Sequence, residues 1–299
     1  MSRASVAPAL VLLAAAAAIF APIDAFLLAF SVLGPLHYLT ELAWLSRRGF
    51  FVAGAAPRVA LGALAVLGTG LALLLERDLG AAAALVQNAA VTVLFVAVAV
   101  AAVGAFGRGS PAQVAGALGL ATLAGAGIGA SAFAWPYFLI FGVLLPTLVH
   151  VVVFTVAFMA DGCRRRRAPA DVATLALFLV LLLALAVVPA PAVPADARWQ
   201  EVIGFLVEPL RQVGLSPDRA PRLLAFVYLH HFLNWFEKTE RIGWHRLPRL
   251  QLALVAAGWV ICVGAYAVDL RIGLLVALLP NLAHVVMELP LNWRTFTGR

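Results

Sequence analysis

Long apolar stretches alternate with short polar segments along the chain. Each stretch comes close to the ~20 consecutive apolar residues that an α-helix needs to cross a bilayer. The pattern predicts ten transmembrane helices, at about residues 5–21, 24–45, 57–75, 79–105, 111–131, 135–160, 171–189, 220–237, 250–268 and 271–293. We therefore expect an all-α fold, a polytopic helical bundle that forms a single integral membrane domain over residues 1–299.

The composition agrees with this class of protein. Hydrophobic residues form 64% of the 299-residue chain and charged residues only 12%, whereas soluble domains are about half apolar and about a quarter charged. The strands of a transmembrane barrel would alternate over roughly 10 residues, and the long runs of Leu, Ala and Val do not. The first apolar stretch could also be a signal peptide, but we interpret it as a retained helix because similar stretches follow it.

The basic residues predict how these helices are oriented. Most of the 21 Lys and Arg, including the run Arg164 to Arg167, fall in cytoplasmic segments when the N-terminus is placed in the cytoplasm. Such a bias is expected, because cytoplasmic loops are enriched in Lys and Arg. We expect a multi-pass protein of the bacterial cytoplasmic (inner) membrane with both termini cytoplasmic. The net charge of +7 then reflects orientation among membrane lipids, and no nucleic-acid partner is expected.

Three smaller features receive structural interpretations. The segment at about 190–219 has apolar positions at helical spacing, which predicts an extracytoplasmic amphipathic helix on the membrane surface. The sequence GAGIGA at 125–130 follows no strand and is typical of close packing between helices. Cys163 and Cys262 match no metal or redox spacing, and we interpret Cys163 as a free reduced thiol.

The histidines show a pattern that scattered surface residues would not show. Five of the six lie in four predicted helices and the other lies in the inner loop after the eighth helix; in chain order they are His37, His150, His230, His231, His245 and His284. All four helices run from the outside to the inside. Each of these histidines lies ~10–15 Å before the predicted cytoplasmic end of its helix. We therefore expect five imidazoles at one depth of the membrane.

Two of these helices share a motif in which a carboxylate follows the histidine by one turn. His37 precedes Glu41 and His284 precedes Glu288, and this i, i+4 spacing places the two side chains of each pair on one helix face. A charged residue at the bilayer centre costs ~2.5–3.5 kcal/mol, so residues of this kind are rare without a function. Imidazoles and carboxylates without thiolates suit iron or zinc, and iron where oxygen chemistry follows.

The pattern predicts an intramembrane metal centre that holds one or two non-haem iron ions. The candidate ligands are His37, His150, His230, His231, His245, His284, Glu41 and Glu288. The two glutamates are ligands if two ions are bound, or orient the imidazoles if one is bound, and both are candidate catalytic residues. A single intramembrane histidine is more often only a hydrogen-bonded interior residue, so the prediction depends on the joint occurrence.

Four segments of the chain resemble, in order and placement, the motifs of the Brp/Blh-like family of membrane β-carotene 15,15'-dioxygenases. They are GPLHYLTE at 34–41, PTLVH at 146–150, YLHHFLNWFEKTERIGWH at 228–245 and LPNLAH at 279–284. The resemblance implies iron ligands at His37, His150, His230 or His231, and His284. Val151 follows His150 where that family has Phe-Gly, which favours a relative with another substrate.

These observations predict an iron-dependent oxygenase. O2 is the expected co-substrate, together with an electron donor and a lipid-like or carotenoid-like substrate from the bilayer, and cleavage, hydroxylation and desaturation all fit. Two other classes of protein stay open. Paired histidines could be the axial ligands of a haem in an electron-transfer protein, and intramembrane His and Glu could line the pathway of a metal or proton transporter.

Overall fold

The computed structural model of the chain describes residues 3–48, 55–75, 77–106, 111–130, 149–189, 219–238, 243 and 246–297. Nearly all of these residues are helical, and within these ranges no strand is formed. The predicted all-α fold is therefore confirmed.

Eleven α-helices make up the described part of the chain. They are α1 Arg3–Phe20, α2 Pro22–Leu28, α3 Gly34–Arg48, α4 Ala55–Leu75, α5 Ala83–Phe106, α6 Pro111–Gly129, α7 Thr155–Arg166, α8 Pro169–Val187, α9 Ala220–Glu237, α10 Arg249–Val268 and α11 Leu270–Thr297. A 3-10 turn, Gly80–Ala82, precedes α5, and two π-helical turns, Ala29–Leu33 and Val149–Phe154, directly precede α3 and α7. The helices lie close to the apolar runs of the sequence; α9 covers the predicted residues 220–237.

In the part of the chain that the structure describes, six helical segments are long and apolar enough to cross a membrane, as expected of an integral membrane protein. They are Pro22–Arg47, Arg58–Leu75, Gly80–Val103, Pro111–Gly129, Pro169–Val187 and Arg249–Val268. Two shorter apolar helices are Val6–Phe20 and Leu270–Val285. The number of ten spans and the cytoplasmic position of the termini stay predictions. Almost all of the predicted amphipathic segment at about 190–219, and much of the predicted sixth helix, lie outside the described residues.

Proline explains the irregular backbone that precedes α3. Pro35 lacks the N–H that would bond the carbonyl of Ser31, and its ring crowds the preceding turn. The backbone widens there into the π-helical turn Ala29–Leu33, in which the Ser31 hydroxyl donates a hydrogen bond to the Leu27 carbonyl. Turns of this kind are frequent at functional sites, and α3 carries two of the predicted site residues.

The chain divides into two compact units, which we call the first and the second unit. The first contains Met1–His37 and Thr147–Val263, and the second contains Tyr38–Pro146 and Gly264–Arg299. In the first unit α9 packs against α1, α2 and α8, whereas in the second α5 packs against α4 and α6, and α11 against α4 and α5. The boundary passes through α3, so one continuous helix contributes to both units. The single domain over residues 1–299 stays a prediction.

Glycines allow α6 to lie directly on the backbone of α5 in the second unit. A Cβ atom on Gly125 would lie 2.7 Å from the Cα of Thr92, and one on Gly129 would lie 2.7 Å from the Cα of Asn88. The Asn88 side-chain amide also donates a hydrogen bond to the Ala126 carbonyl at 3.0 Å. Only glycine fits at such a distance, because backbone atoms cannot move aside as a side chain can. The interpretation of GAGIGA as a packing motif is confirmed.

Candidate metal centre

α3 presents a histidine and a carboxylate one turn apart. His37 and Glu41 are each 1% exposed, and a ligand atom of one lies within 4.8 Å of a ligand atom of the other. The i, i+4 spacing brings the two side chains together along one face of the helix. His37 belongs to the first unit and Glu41 to the second.

Three histidines of the first unit form a compact set, which we call the imidazole group: His37, His150 and His231. The Nε2 atoms of His37 and His231 lie 3.2 Å apart, and their rings meet edge to face with centroids 4.9 Å apart. The ring of His150 lies 5.0 Å from that of His231 and 6.3 Å from that of His37, centroid to centroid. The π-helical turn Val149–Phe154 carries His150 into this group. Three imidazoles from three segments of the chain therefore converge.

Aromatic and hydroxyl side chains fix the orientation of the imidazole group. Phe232 and Trp235 of α9 lie against His37, with ring centroids 5.1 Å and 5.0 Å from its own. The Thr155 hydroxyl lies 3.0 Å from Nδ1 of His231, within hydrogen-bond distance. His231 thus has its two ring nitrogens directed to different partners, Nδ1 to a hydroxyl and Nε2 to another imidazole.

His230 faces another side of α9 although it is the neighbour of His231 in the sequence. Its ring packs on Phe178 of α8, with centroids 4.7 Å apart, and lies near Phe226 at 6.2 Å. Successive residues of an α-helix are ~100° apart around the axis, so two adjacent histidines cannot face the same way. Within the described residues, His231 joins His37 and His150, whereas His230 lies in an aromatic environment.

A second set of polar side chains lies in the second unit, and we call it the carboxylate group: Glu41, Glu288 and His284. The Glu41 and Glu288 side chains are hydrogen-bonded to each other, and a ligand atom of Glu41 lies within 4.8 Å of one of His284. The ring of Tyr38 stacks on that of His284, with centroids 4.6 Å apart and an angle of 19° between the rings. One residue of α3, Glu41, and one face of α11 build this group.

The contact between the Glu41 and Glu288 carboxyl groups requires a proton or a cation. A carboxylate oxygen only accepts hydrogen bonds, so a bond between two carboxyl groups requires a proton on one of them. Glu41 is 1% exposed and Glu288 is 5% exposed, and two unneutralised carboxylates at such a site would carry a desolvation cost of several kcal/mol or more. Either a shared proton or a bound cation would remove this cost.

The buried His and Glu side chains could hold a metal ion. Side chains with a ligand atom for a metal occur in each unit, His37 and His150 in the first and Glu41 and His284 in the second. Imidazole and carboxylate ligands suit iron, zinc and similar divalent ions. The 3.2 Å between the Nε2 atoms of His37 and His231 is also compatible with shared coordination, because two nitrogens bound at ~2.1 Å to one ion lie ~3–3.5 Å apart. The donor set therefore fits a transition-metal ion.

The remaining sequence-predicted residues lie in different places. His245 falls outside the described residues, and His230 lies on Phe178 as described above. Cys163 and Cys262 are both free, as predicted for Cys163. Thr155 and Tyr38 could not be predicted from the sequence, because each is a lone polar or aromatic residue in a segment that carries a histidine.

No family model, no curated protein and no solved structure matches this chain. The resemblance to the Brp/Blh-like family therefore stays a prediction that depends on the order of four sequence motifs. The fold and the site define a helical, apolar protein with buried histidines and glutamates that could bind a metal ion.

Proposed function

We propose that this protein is a membrane-embedded oxygenase that binds one or two non-haem iron ions and oxidises a hydrophobic substrate. The observation that carries the proposal is the set of buried imidazoles and carboxylates within helices that are otherwise apolar. The order of the four histidine-bearing segments along the chain supports the same function. The bacterial cytoplasmic membrane, a lipid-like or carotenoid-like substrate and an electron donor belong to this proposal.

The imidazole and carboxylate groups would divide the ligands between them. Neutral imidazoles would bind a divalent ion without adding charge, and the carboxylates of Glu41 and Glu288 would balance the charge of the ion or ions. Iron held in this way supplies one-electron chemistry and the activation of O2. Glu41 and Glu288, which already share a hydrogen bond, would also hold or release a proton between their carboxyl oxygens.

The surroundings of the site would exclude water from the reaction. Tyr38 covers one face of the His284 ring, and Phe232 and Trp235 lie against His37. An apolar enclosure strengthens the electrostatic interactions inside it and protects reactive species from hydrolysis and proton leakage. This enclosure suits the oxidation of an apolar molecule better than hydrolysis, which requires water at the reacting atom.

An apolar cleft in the second unit supports a hydrophobic substrate. The cleft lies among α4, α5 and α11, and the approximately 430 Å³ of space between its atoms includes open solvent. All of its lining residues are apolar, including Leu61, Leu94, Ala283 and Met287. On α11, Ala283 directly precedes His284 and Met287 directly precedes Glu288. Adjacent faces of this helix therefore border the cleft and the carboxylate group.

The first test is metal analysis of the detergent-purified protein. We would measure iron and other metals by mass spectrometry and record an absorption spectrum, for the wild type and for His37→Ala and His284→Ala. Cys163→Ser is the matched control, because this free thiol could bind metal non-specifically. We expect one to two irons per chain in the wild type and the control, and little or none in either histidine variant.

The outcome separates the proposed function from its alternatives. A haem absorption band would indicate an electron-transfer protein. If the wild type binds no metal, the histidines and glutamates would instead line the proton pathway of a transporter. If iron is present, oxygen consumption with carotenoid and acyl-lipid substrates and a chemical reductant tests the oxygenase directly. Iron without substrate-dependent oxygen consumption would contradict the oxygenase proposal while leaving the metal centre in place.

A further inference from the structure

We propose that Thr155 is a positioning residue that holds His231 as an Nε2 ligand, and thereby makes His231 rather than His230 the α9 ligand. This inference deepens the proposed function and rests on it. It concerns only residues of the first unit: Thr155, His231, His37 and His150.

The geometry around His231 is that of an oriented ligand. The Thr155 hydroxyl oxygen lies 3.0 Å from Nδ1, and the opposite nitrogen, Nε2, lies 3.2 Å from Nε2 of His37. Thr155 is 3% exposed, so water does not readily replace its hydroxyl. The imidazole therefore lies between a hydroxyl on one side and the centre of the imidazole group on the other.

The chemistry of an imidazole ligand requires a partner of this kind. An imidazole that binds a metal through Nε2 carries its proton on Nδ1, and a buried N–H needs an acceptor. Metal-binding histidines almost always donate this proton to an oxygen, which fixes the tautomer and the ring orientation. A hydroxyl can accept that hydrogen bond. The Thr155 hydroxyl is the oxygen that the structure provides for His231.

The position of Thr155 in the chain links two ligands. Thr155 is the first residue of α7 and directly follows the π-helical turn that carries His150. One short segment would thus supply a ligand through His150 and orient a second ligand through Thr155. By contrast, the imidazole of His230 packs on the phenyl ring of Phe178. A phenyl ring has no oxygen or nitrogen that could accept a hydrogen bond from an imidazole N–H. The hydroxyl therefore distinguishes the two adjacent histidines of α9.

The test measures the affinity of the purified full-length protein for iron(II) by competition with a chelator under anaerobic conditions. Thr155→Val keeps the shape of the side chain and removes the hydroxyl, Thr155→Ala removes it with less bulk, and Thr155→Ser restores it. Thr174→Val is the matched control, because Thr174 is a buried threonine of the same unit whose hydroxyl donates to the Ala170 carbonyl of its own helix.

We expect Thr155→Val and Thr155→Ala to weaken iron(II) binding by about 10- to 100-fold, the usual effect of losing an outer hydrogen-bond partner of a ligand. Thr155→Ser and Thr174→Val should bind as the wild type does. The unfolding midpoints of the metal-free variants check that each one folds. If removing any buried threonine hydroxyl had a general structural effect, the midpoint of Thr174→Val would fall as well.

Two results would overturn the inference. If Thr155→Val and Thr155→Ala keep wild-type affinity, the hydroxyl does not position a ligand; if Thr155→Ser is as weak as Thr155→Val, side-chain shape and not the hydroxyl is responsible. Either result leaves the proposed function intact as long as the wild type binds iron. A wild type that binds no iron would overturn this inference and the proposed function together.

Discussion

The imidazole group and the carboxylate group each contain one residue of α3, but they differ in the charge that their side chains carry. The imidazole group consists of side chains that are neutral when deprotonated, and its close Nε2 contact needs only one shared proton or an ion. The carboxylate group contains, beside His284, two acids in contact with each other, whose negative charge must be cancelled within the protein. Burial is therefore tolerable for the first group alone, but not for the second without a proton or a cation.

This difference indicates which group would depend on a metal. Without an ion, the imidazoles can hydrogen-bond to one another and to Thr155, so the first unit loses little. The hydrogen bond between the two carboxyl groups then requires a proton on one of them. Metal binding should therefore be linked to proton release from the carboxylate group, and substitutions in the two groups should have different effects on stability and affinity.

The largest effect should come from removing a ligand of the imidazole group. We expect His231→Gln to lower the affinity for iron(II) by more than ~100-fold, beyond the loss caused by an outer partner. His230→Gln, one residue away, should stay close to the wild type because its ring packs on Phe178. Chelator competition on both variants measures the difference. Equal losses would show that the rotation of α9 does not decide which histidine binds.

A smaller effect should follow from removing one charge of the carboxylate group. Glu41→Gln keeps the size of the side chain and a hydrogen bond to Glu288, but removes an anionic oxygen. We expect iron(II) affinity to fall by about 10- to 100-fold, while the unfolding midpoint of the metal-free protein stays the same or rises. A clear fall in that midpoint would contradict the statement that the pair needs neutralisation when no metal is bound.

The packing of α6 on α5 in the second unit can be changed without altering Glu41 or Glu288. Gly125→Ala places a Cβ atom 2.7 Å from the Thr92 backbone, whereas Gly127→Ala on the same helix meets nothing within 4 Å. We expect Gly125→Ala to be less stable than Gly127→Ala by about 1–2 kcal/mol, as is usual for overpacking. The free energy of unfolding in mixed detergent micelles measures this difference. Equal stability would mean that α6 can move away from α5 without cost.

The smallest effect should come from Asp161, a partly exposed carboxylate that pairs with two exposed arginines. Desolvation alone would raise the pKa of Asp161, but hydrogen bonds from Arg164 and Arg165, at 2.9 Å and 2.6 Å, lower this pKa overall. The associated stability is present above the ordinary pKa of an aspartate, ~4, and is lost as the pH falls through the lowered value. Because exposed ion pairs contribute little, Asp161→Asn should leave the unfolding midpoint at pH 7 unchanged. A marked loss there would show that water does not screen this pair.

Much of the fold could be predicted because the bilayer imposes a simple rule. A long apolar segment must satisfy its own backbone, so it forms a helix wherever it is long enough. The limits of α9 and the start of α6 at Pro111 agree with the sequence prediction for this reason. The same rule gave no information on the π-helical turns, because a local widening of the helix leaves no trace in an apolar pattern.

The candidate site could be predicted only in part. The i, i+4 spacing of His37 and Glu41 is a property of any α-helix, so their proximity followed from the sequence. Which residue of the pair His230 and His231 faces His37 did not, because α9 carries apolar residues on all sides and its rotation is set by packing against neighbouring helices. Thr155 could not be found either, since nothing in its sequence context distinguishes it from other helical threonines.

The sequence by itself determined that this is a helical, apolar chain with histidines and glutamates placed where polar residues are costly. That information is local, because apolar length and helical periodicity depend only on neighbouring residues. The tertiary structure alone decided that His150 and His231 meet His37, that Glu288 meets Glu41, and that Tyr38 stacks on His284. These contacts join residues far apart in the chain, and only the packing and rotation of whole helices can bring such residues together.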